Sequence, residues 1–168
     1  MKIKTLQLII ICTVTCFSAQ AAVSEKQAIA QQGTLALKDA QEIQKVWKKT
    51  LAGFANRDIA SIMETISPNY SKSIDWTTII DYAGFRKIAE QNDAEFFEKY
   101  ASCFVKNIKI LKSNVTGDKA AVEFEYQLNA FNKNSMRWET YGIIQEVTFV
   151  KENSQWKIIT SGDKKKLY

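Results

Sequence analysis

Ala120-Ala121-Val122-Glu123-Phe124-Glu125-Tyr126-Gln127-Leu128-Asn129-Ala130 contains two interleaved sets of residues. Ala120, Val122, Phe124, Tyr126, Leu128 and Ala130 are apolar, and the residues between them are mostly polar. Side chains alternate across a strand, so a period of two predicts one packed face and one wet face. Strand signals continue on both sides. Val105 to Leu111 begins the strand-rich region, and Val115-Thr116-Gly117-Asp118 supplies a turn. Asn132-Lys133-Asn134-Ser135 predicts a hairpin turn, followed by a strand from Met136 to Val150 in which Gly142 is expected to mark a bulge. Glu152-Asn153-Ser154 turns again, and Trp156-Lys157-Ile158-Ile159 is the last strand.

Upstream the period changes. Ile43, Val46, Trp47, Thr50, Leu51 and Phe54 recur at helical spacing and predict one buried stripe. Asn56-Arg57-Asp58 breaks that helix, and Asp58 can cap a short second one with Ile59, Ile62, Met63 and Ile66 on its buried side. Ser67-Pro68-Asn69 ends it, because proline disfavours helix in the residue before it. Tyr70 to Ile74 is expected to be a brief strand, while Thr77 to Tyr82 fits strand or helix. Gly84 to Tyr100 predicts a further helix, with a break at Asn92-Asp93. Helices first and an antiparallel meander second make an α+β pattern. No repeat or linker interrupts it.

The 168 residues are 46% hydrophobic and 24% charged, enough for one domain with a real core. There is no histidine, which excludes Ser-His-Asp and Cys-His triads, histidine metal sites and a histidine pH switch. No metal and no cofactor is expected. The start is basic (Met1-Lys2-Ile3-Lys4), Leu6 to Phe17 is apolar, and Ala19-Gln20-Ala21 has the small-x-small form that signal peptidase accepts. Residues 1–21 are therefore expected to be a signal peptide cleaved after Ala21, with no stable membrane span afterwards. Residues 22–38 are expected to be a helical lead-in, 39–162 the folded domain and 163–168 a basic tail. The expected destination is periplasmic or secreted.

Cleavage would lower the net charge of +5 by two, since Lys2 and Lys4 leave. That excess is too small to argue for nucleic acid. Cys12 and Cys16 leave as well, so Cys103 would stand alone, a buried inert thiol rather than half of a disulfide. The run Lys164-Lys165-Lys166 is expected to be solvated, contributing about 1 kcal/mol per lysine only near a strongly anionic surface.

The order of these signals resembles the nuclear transport factor 2-like superfamily. The resemblance rests on Trp47, Leu51 and Phe54 in the first helix, the Arg57-Asp58 break, the exit Ser67-Pro68-Asn69-Tyr70 and the helix start Gly84-Phe85-Arg86. In the sheet it rests on Val115 to Val122 and on the ending Phe149-Val150-Lys151-Glu152-Asn153-Ser154-Gln155-Trp156-Lys157-Ile158. It spans roughly Asp39 to Ser161. It implies a cone-shaped curved antiparallel sheet packed on N-terminal helices, with a pocket between them and frequent dimers through the outer sheet face. The superfamily includes isomerases, dehydratases and transport adaptors, so fold alone does not name an activity.

Two chemistries fit such a pocket. An apolar or aromatic ligand would be lined by Trp76, Phe85, Phe97, Phe124, Tyr126 and Trp138, with no catalytic residue. An isomerase or dehydratase would instead pair an acid, from Asp75, Asp81 or Glu64, with a tyrosine such as Tyr70, Tyr82, Tyr126 or Tyr141. A third reading is an accessory subunit of an envelope or secretion assembly. The polar face, with Glu123, Glu125, Gln127, Asn129, Arg137 and Glu139, is the expected partner or homodimer surface, with Glu125 and Arg137 able to pair across strands.

Overall fold

The computed structural model describes residues 37–73, 78–162 and 165–167. The expected signal peptide and nearly all of the lead-in lie outside them. The fold occupies the compact unit from Ala40 to Tyr168.

Helix α1 covers residues 37–55. Its predicted stripe is the buried one: Ile43, Trp47 and Leu51 are in the core, with Val46 and Phe54 packed against it. Arg57 closes the helix in a left-handed conformation (φ 60°). Asp58 then caps α2 (Ile59–Thr65), its carboxylate accepting from the Ser61 backbone N–H. The Ser61 hydroxyl and N–H together hold the Asp58 carboxyl below its ordinary value. Gly53 lets the two helices approach, since a Cβ there would stand 2.8 Å from Ile62 Cγ1. After α2 the chain is sewn to the last strand of the sheet: the Ser67 N–H donates to the Ile158 carbonyl (2.8 Å), and the buried Ser67 hydroxyl to Glu152 Oε1 (2.8 Å).

A two-stranded ribbon follows, β1 (Lys72–Ser73) against β2 (Ile79–Ile80). Asp81 caps α3 (Tyr82–Lys99), accepting from the Gly84 N–H at 2.8 Å. This helix starts earlier than expected and has no break at Asn92-Asp93. Asp93 is buried, and its Oδ2 accepts from Arg57 Nε at 3.2 Å, so another element holds the side chain that would otherwise favour a break.

The main sheet is antiparallel, in the order β3 (Tyr100–Thr116), β4 (Lys119–Asn132), β5 (Arg137–Glu152), β6 (Gln155–Ser161), with β7 (Lys165–Lys166) also on β5. Along β4 the six alternating apolar residues are all buried. Asn153 and Ser154 both take positive φ at the β5–β6 hairpin, the conformation a two-residue turn needs. The sheet curves, but not through a bulge at Gly142: the β4–β5 register runs unbroken from Lys119↔Val150 to Asn132↔Arg137. The shifts lie instead between β3 and β4, at Tyr100/Ser102, Lys106/Lys109 and Ile110/Lys112, and between β5 and β6 at Thr148/Phe149. The Gly142 carbonyl accepts from the Leu167 N–H at 2.8 Å. Of the lysine run, Lys165 and Lys166 are in a strand, paired with Ile144 and Ile143, and Lys164 lies outside the described residues. Among the described residues no helix is long and apolar enough to cross a membrane.

Register also corrects the expected polar face. Glu125 stands opposite Ile144 and Lys109, while Arg137 stands opposite Asn132, so Glu125 and Arg137 are not cross-strand partners. Glu139 is opposite Ala130 and shares the inner face with it. Asn129 is outward but buried, its Oδ1 accepting from the Thr140 hydroxyl at 2.9 Å.

Candidate functional site

Between the helices and the inner sheet face lies a cavity of about 340 Å³. Its helical wall is Trp47, Leu51 and Phe54 of α1, Ile62 of α2, and Phe85, Ile88 and Ala89 of α3. Its sheet wall is Val105, Tyr126, Leu128, Ile143 and Ile158. The period-two face of β4 and the helical stripe of α1 thus meet across a space that their side chains do not fill. Asn92 and Gly162 are exposed and Lys72 is half-buried, so these three mark the mouth.

The polar groups of the wall are few. Tyr126, only 2% exposed, donates its hydroxyl proton to Gln145 Oε1 at 3.0 Å, and Gln145 Nε2 donates to the Gly162 carbonyl at 3.4 Å. Burial raises the Tyr126 pKa well above the ordinary tyrosine value, so the phenol stays neutral. The Tyr70 hydroxyl lies 3.4 Å from Ser161 Oγ, and its ring packs on Phe85 with centroids 4.7 Å apart. Lys72 is the one charged residue among the described wall residues.

Of the six residues singled out in the sequence, Phe85 and Tyr126 line the cavity. Phe124 is fully buried behind it, stacked on Trp47 at 5.4 Å. Phe97 packs on Phe54 and Phe96 beneath the Arg57 guanidinium, outside the lining. Trp138 is opposite Phe131 on the outer face, 53% exposed and in contact with Phe104 and Phe131. Its position in β5, one residue out of phase with the inward Glu139, puts it there. Trp76 and Asp75 lie outside the described residues. Asp81 is occupied as a cap, and Glu64 is exposed and paired with Lys49.

Sequence reasoning missed Gln145, Lys72 and Ser161. Gln145 sits inward opposite Phe124, between the apolar Ile143 and Val147 of the same face, a signal visible only once β5 is aligned with β4. A second polar cluster on the inner face was also missed: the Glu139 carboxylate accepts from Tyr100 (3.0 Å), from Tyr141 and from Asn132 (2.6 Å). The Tyr141, Asn132 and Tyr100 donors hold the Glu139 carboxyl below its ordinary value.

The arrangement of helices on a curved antiparallel sheet recurs in solved structures. A nuclear transport factor 2-like superfamily protein from Salmonella enterica superposes with a TM-score of 0.55 at 16% identity, covering 75% of this chain and 89% of that one. The fold is nuclear transport factor 2-like. Two further structures with this fold are described as enzymes. One is hexachlorocyclohexane dehydrochlorinase LinA-type3 of Novosphingobium barchaimii (TM-score 0.60, 10% identity, 79% of this chain and 89% of that one). The other is a putative scytalone dehydratase of Novosphingobium aromaticivorans (TM-score 0.61, 13% identity, 79% and 87%). No protein-family model matches the sequence, and no curated protein sequence does either. At such identities the likeness shows the fold alone.

Proposed function

We propose that the protein is an exported, non-catalytic binding module whose cavity takes a small apolar or aromatic molecule. The composition of the cavity wall carries this reading: about 340 Å³ bounded mainly by apolar side chains, at the lower end of the ~300–1,000 Å³ range of ligand sites. If that volume were a closed packing defect, at ~24 cal/mol per Å³ it would cost about 8 kcal/mol, as much as the whole net stability of many domains. Merely filling a core is therefore a poor account of it. The described wall residues also offer no carboxylate or thiol to act as proton acceptor, and Tyr126 is held neutral and committed to Gln145.

Native mass spectrometry of the protein purified gently from its own compartment tests this reading. Extra mass that leaves on denaturation is the expected result. A bare chain that also takes up no apolar probe overturns it. The same spectrum checks export, which predicts Ala22 as the first residue, and the oligomer mass. A homodimer through the outer sheet face is part of this reading, supported by the exposed Phe104 and Trp138 there.

A second reading is a pocket isomerase or dehydratase using an Asp/Tyr pair, with Asp75 as its acid. The dehydrochlorinase and dehydratase descriptions of proteins with this fold favour it. Under this reading the recovered molecule is converted on incubation and Asp75→Asn abolishes the conversion, whereas a pure binding module returns it unchanged.

A further inference from the structure

Resting on the ligand-binding reading, we propose that the cavity selects a neutral hydroxyl compound: a small apolar alcohol or phenol whose O–H is seated on Tyr126 and Gln145.

The two side chains reach the cavity from neighbouring strands. Tyr126 of β4 and Gln145 of β5 are diagonal on the inner face, since Tyr126 pairs with Ile143 and Gln145 with Phe124. Both line the cavity, among the apolar Leu51, Ile62, Leu128 and Ile143. Gln145 also falls at a gap along β5, between the Val147↔Ser161 pairing of β6 and the Ile144↔Lys165 pairing of β7. Gly162 occupies that gap. Its N–H donates to the Glu146 carbonyl at 2.8 Å, and its own carbonyl accepts from Gln145 Nε2 at 3.4 Å.

That carbonyl sets the direction of the whole row. A carbonyl only accepts, so the Gln145 nitrogen faces Gly162 and Oε1 faces Tyr126. Oε1 only accepts in turn, so the Tyr126 phenol gives its proton there, at 3.0 Å. Among the described residues no donor reaches Tyr126 Oη, which keeps a lone pair, and Gln145 Nε2 keeps a second N–H. The row thus presents a neutral acceptor with a neutral donor beside it. A hydroxyl answers both: its O–H donates to Tyr126 Oη and its oxygen accepts from Gln145 Nε2. A hydrocarbon would displace water from the two groups without replacing its hydrogen bonds. A carboxylate has no proton to donate and would bury its charge in a mainly apolar wall.

The test compares 4-propylphenol, 4-propylanisole and propylbenzene by isothermal titration against the purified protein. An apolar wall alone favours propylbenzene, which is the least hydrated, so preference for the phenol reads the polar pair. The phenol is expected to bind about ten-fold tighter than propylbenzene, the scale of one well-made hydrogen bond, with the anisole, which only accepts, in between. Tyr126→Phe should remove that preference while propylbenzene binding, which reports that the cavity is still formed, persists. Gln145→Leu should do the same, and gives the reading if Tyr126→Phe does not fold. Tyr141→Phe, which deletes a hydroxyl of the same sheet face outside the lining, should keep the preference. If propylbenzene or the anisole binds as tightly as the phenol, or if a folded Tyr126→Phe or Gln145→Leu keeps the preference, hydroxyl selection is wrong and the apolar cavity reading survives. If none of the three binds, both fall together.

Discussion

Tyr126 and Tyr141 are diagonal neighbours on one face of one sheet, yet their hydroxyls meet opposite surroundings. Tyr126, opposite Ile143, donates to the neutral amide of Gln145 in the depth of the cavity wall. Tyr141, opposite Leu128, donates to the charged carboxylate of Glu139, which also accepts from Tyr100 and Asn132. Hydrogen bonding keeps a neutral pair affordable where water is excluded, whereas a carboxylate is retained near the surface where solvent shares its charge. One face therefore carries a neutral, cavity-facing half and a charged half that locks the end of α3 to β5.

The largest expected effect attacks the neutral half. Trp47 stacks on Phe124 at 5.4 Å and meets Tyr126 edge-on at 6.2 Å, so Trp47→Ala should destabilise the fold by about 3–5 kcal/mol in thermal or denaturant unfolding. An unchanged melting temperature would mean that α1 does not pack in this register. Next in size is the contrast between the tyrosines. Tyr126→Phe leaves a buried Gln145 oxygen without its donor and should cost about 1–3 kcal/mol. Tyr141→Phe should cost less, because Glu139 keeps two other donors. Equal losses would erase the distinction between the halves.

A pH profile separates them further. The Glu139 carboxyl is lowered in the folded state by its donors. Its contribution is thus complete above the ordinary carboxylate range and is lost as pH falls through the lowered native value. Glu139→Gln should flatten that part of the acid limb, while Tyr126→Phe should leave it intact. Burial raises both tyrosines, for Tyr141 with help from Glu139 and Tyr100, so each favours the native state below the ordinary pKa of about 10 and loses that contribution above it. The smallest effect belongs to Cys103, opposite Ala130, whose thiol burial pushes up to about 11. Alkylation by iodoacetamide should be slow at about pH 8 and accelerate only as pH approaches that value.

Strong local periodicity made most of the fold legible in the sequence. The β4 alternation, the α1 stripe and the Asp58 cap each depend on residues within a few positions of one another, and the structure has all three. What depended on pairing between distant segments was not legible. Glu139 looked outward when β5 was counted by itself, and only its register against Ala130 turns it inward. Asp93 looked like a helix breaker because Arg57, 36 residues away, is its partner. The site divided along the same line. Phe85 and Tyr126 lie on elements with clear periodicity, whereas Lys72 and Ser161 reach the cavity through a two-residue strand and the end of β6.

The register shifts along β3 also bear on solubility. A 17-residue strand at the border of a sheet is a template on which another chain could add its backbone, the first step towards a fibril. Here Asn107 in its left-handed conformation interrupts the repeat, and Gln44 of α1 donates to the Ile108 carbonyl at 3.5 Å. Lys106, Lys109 and Lys112 add positive charge at the same stretch. The irregularity that bends the sheet around its cavity thus also spoils the straight, evenly spaced ladder that amyloid growth requires.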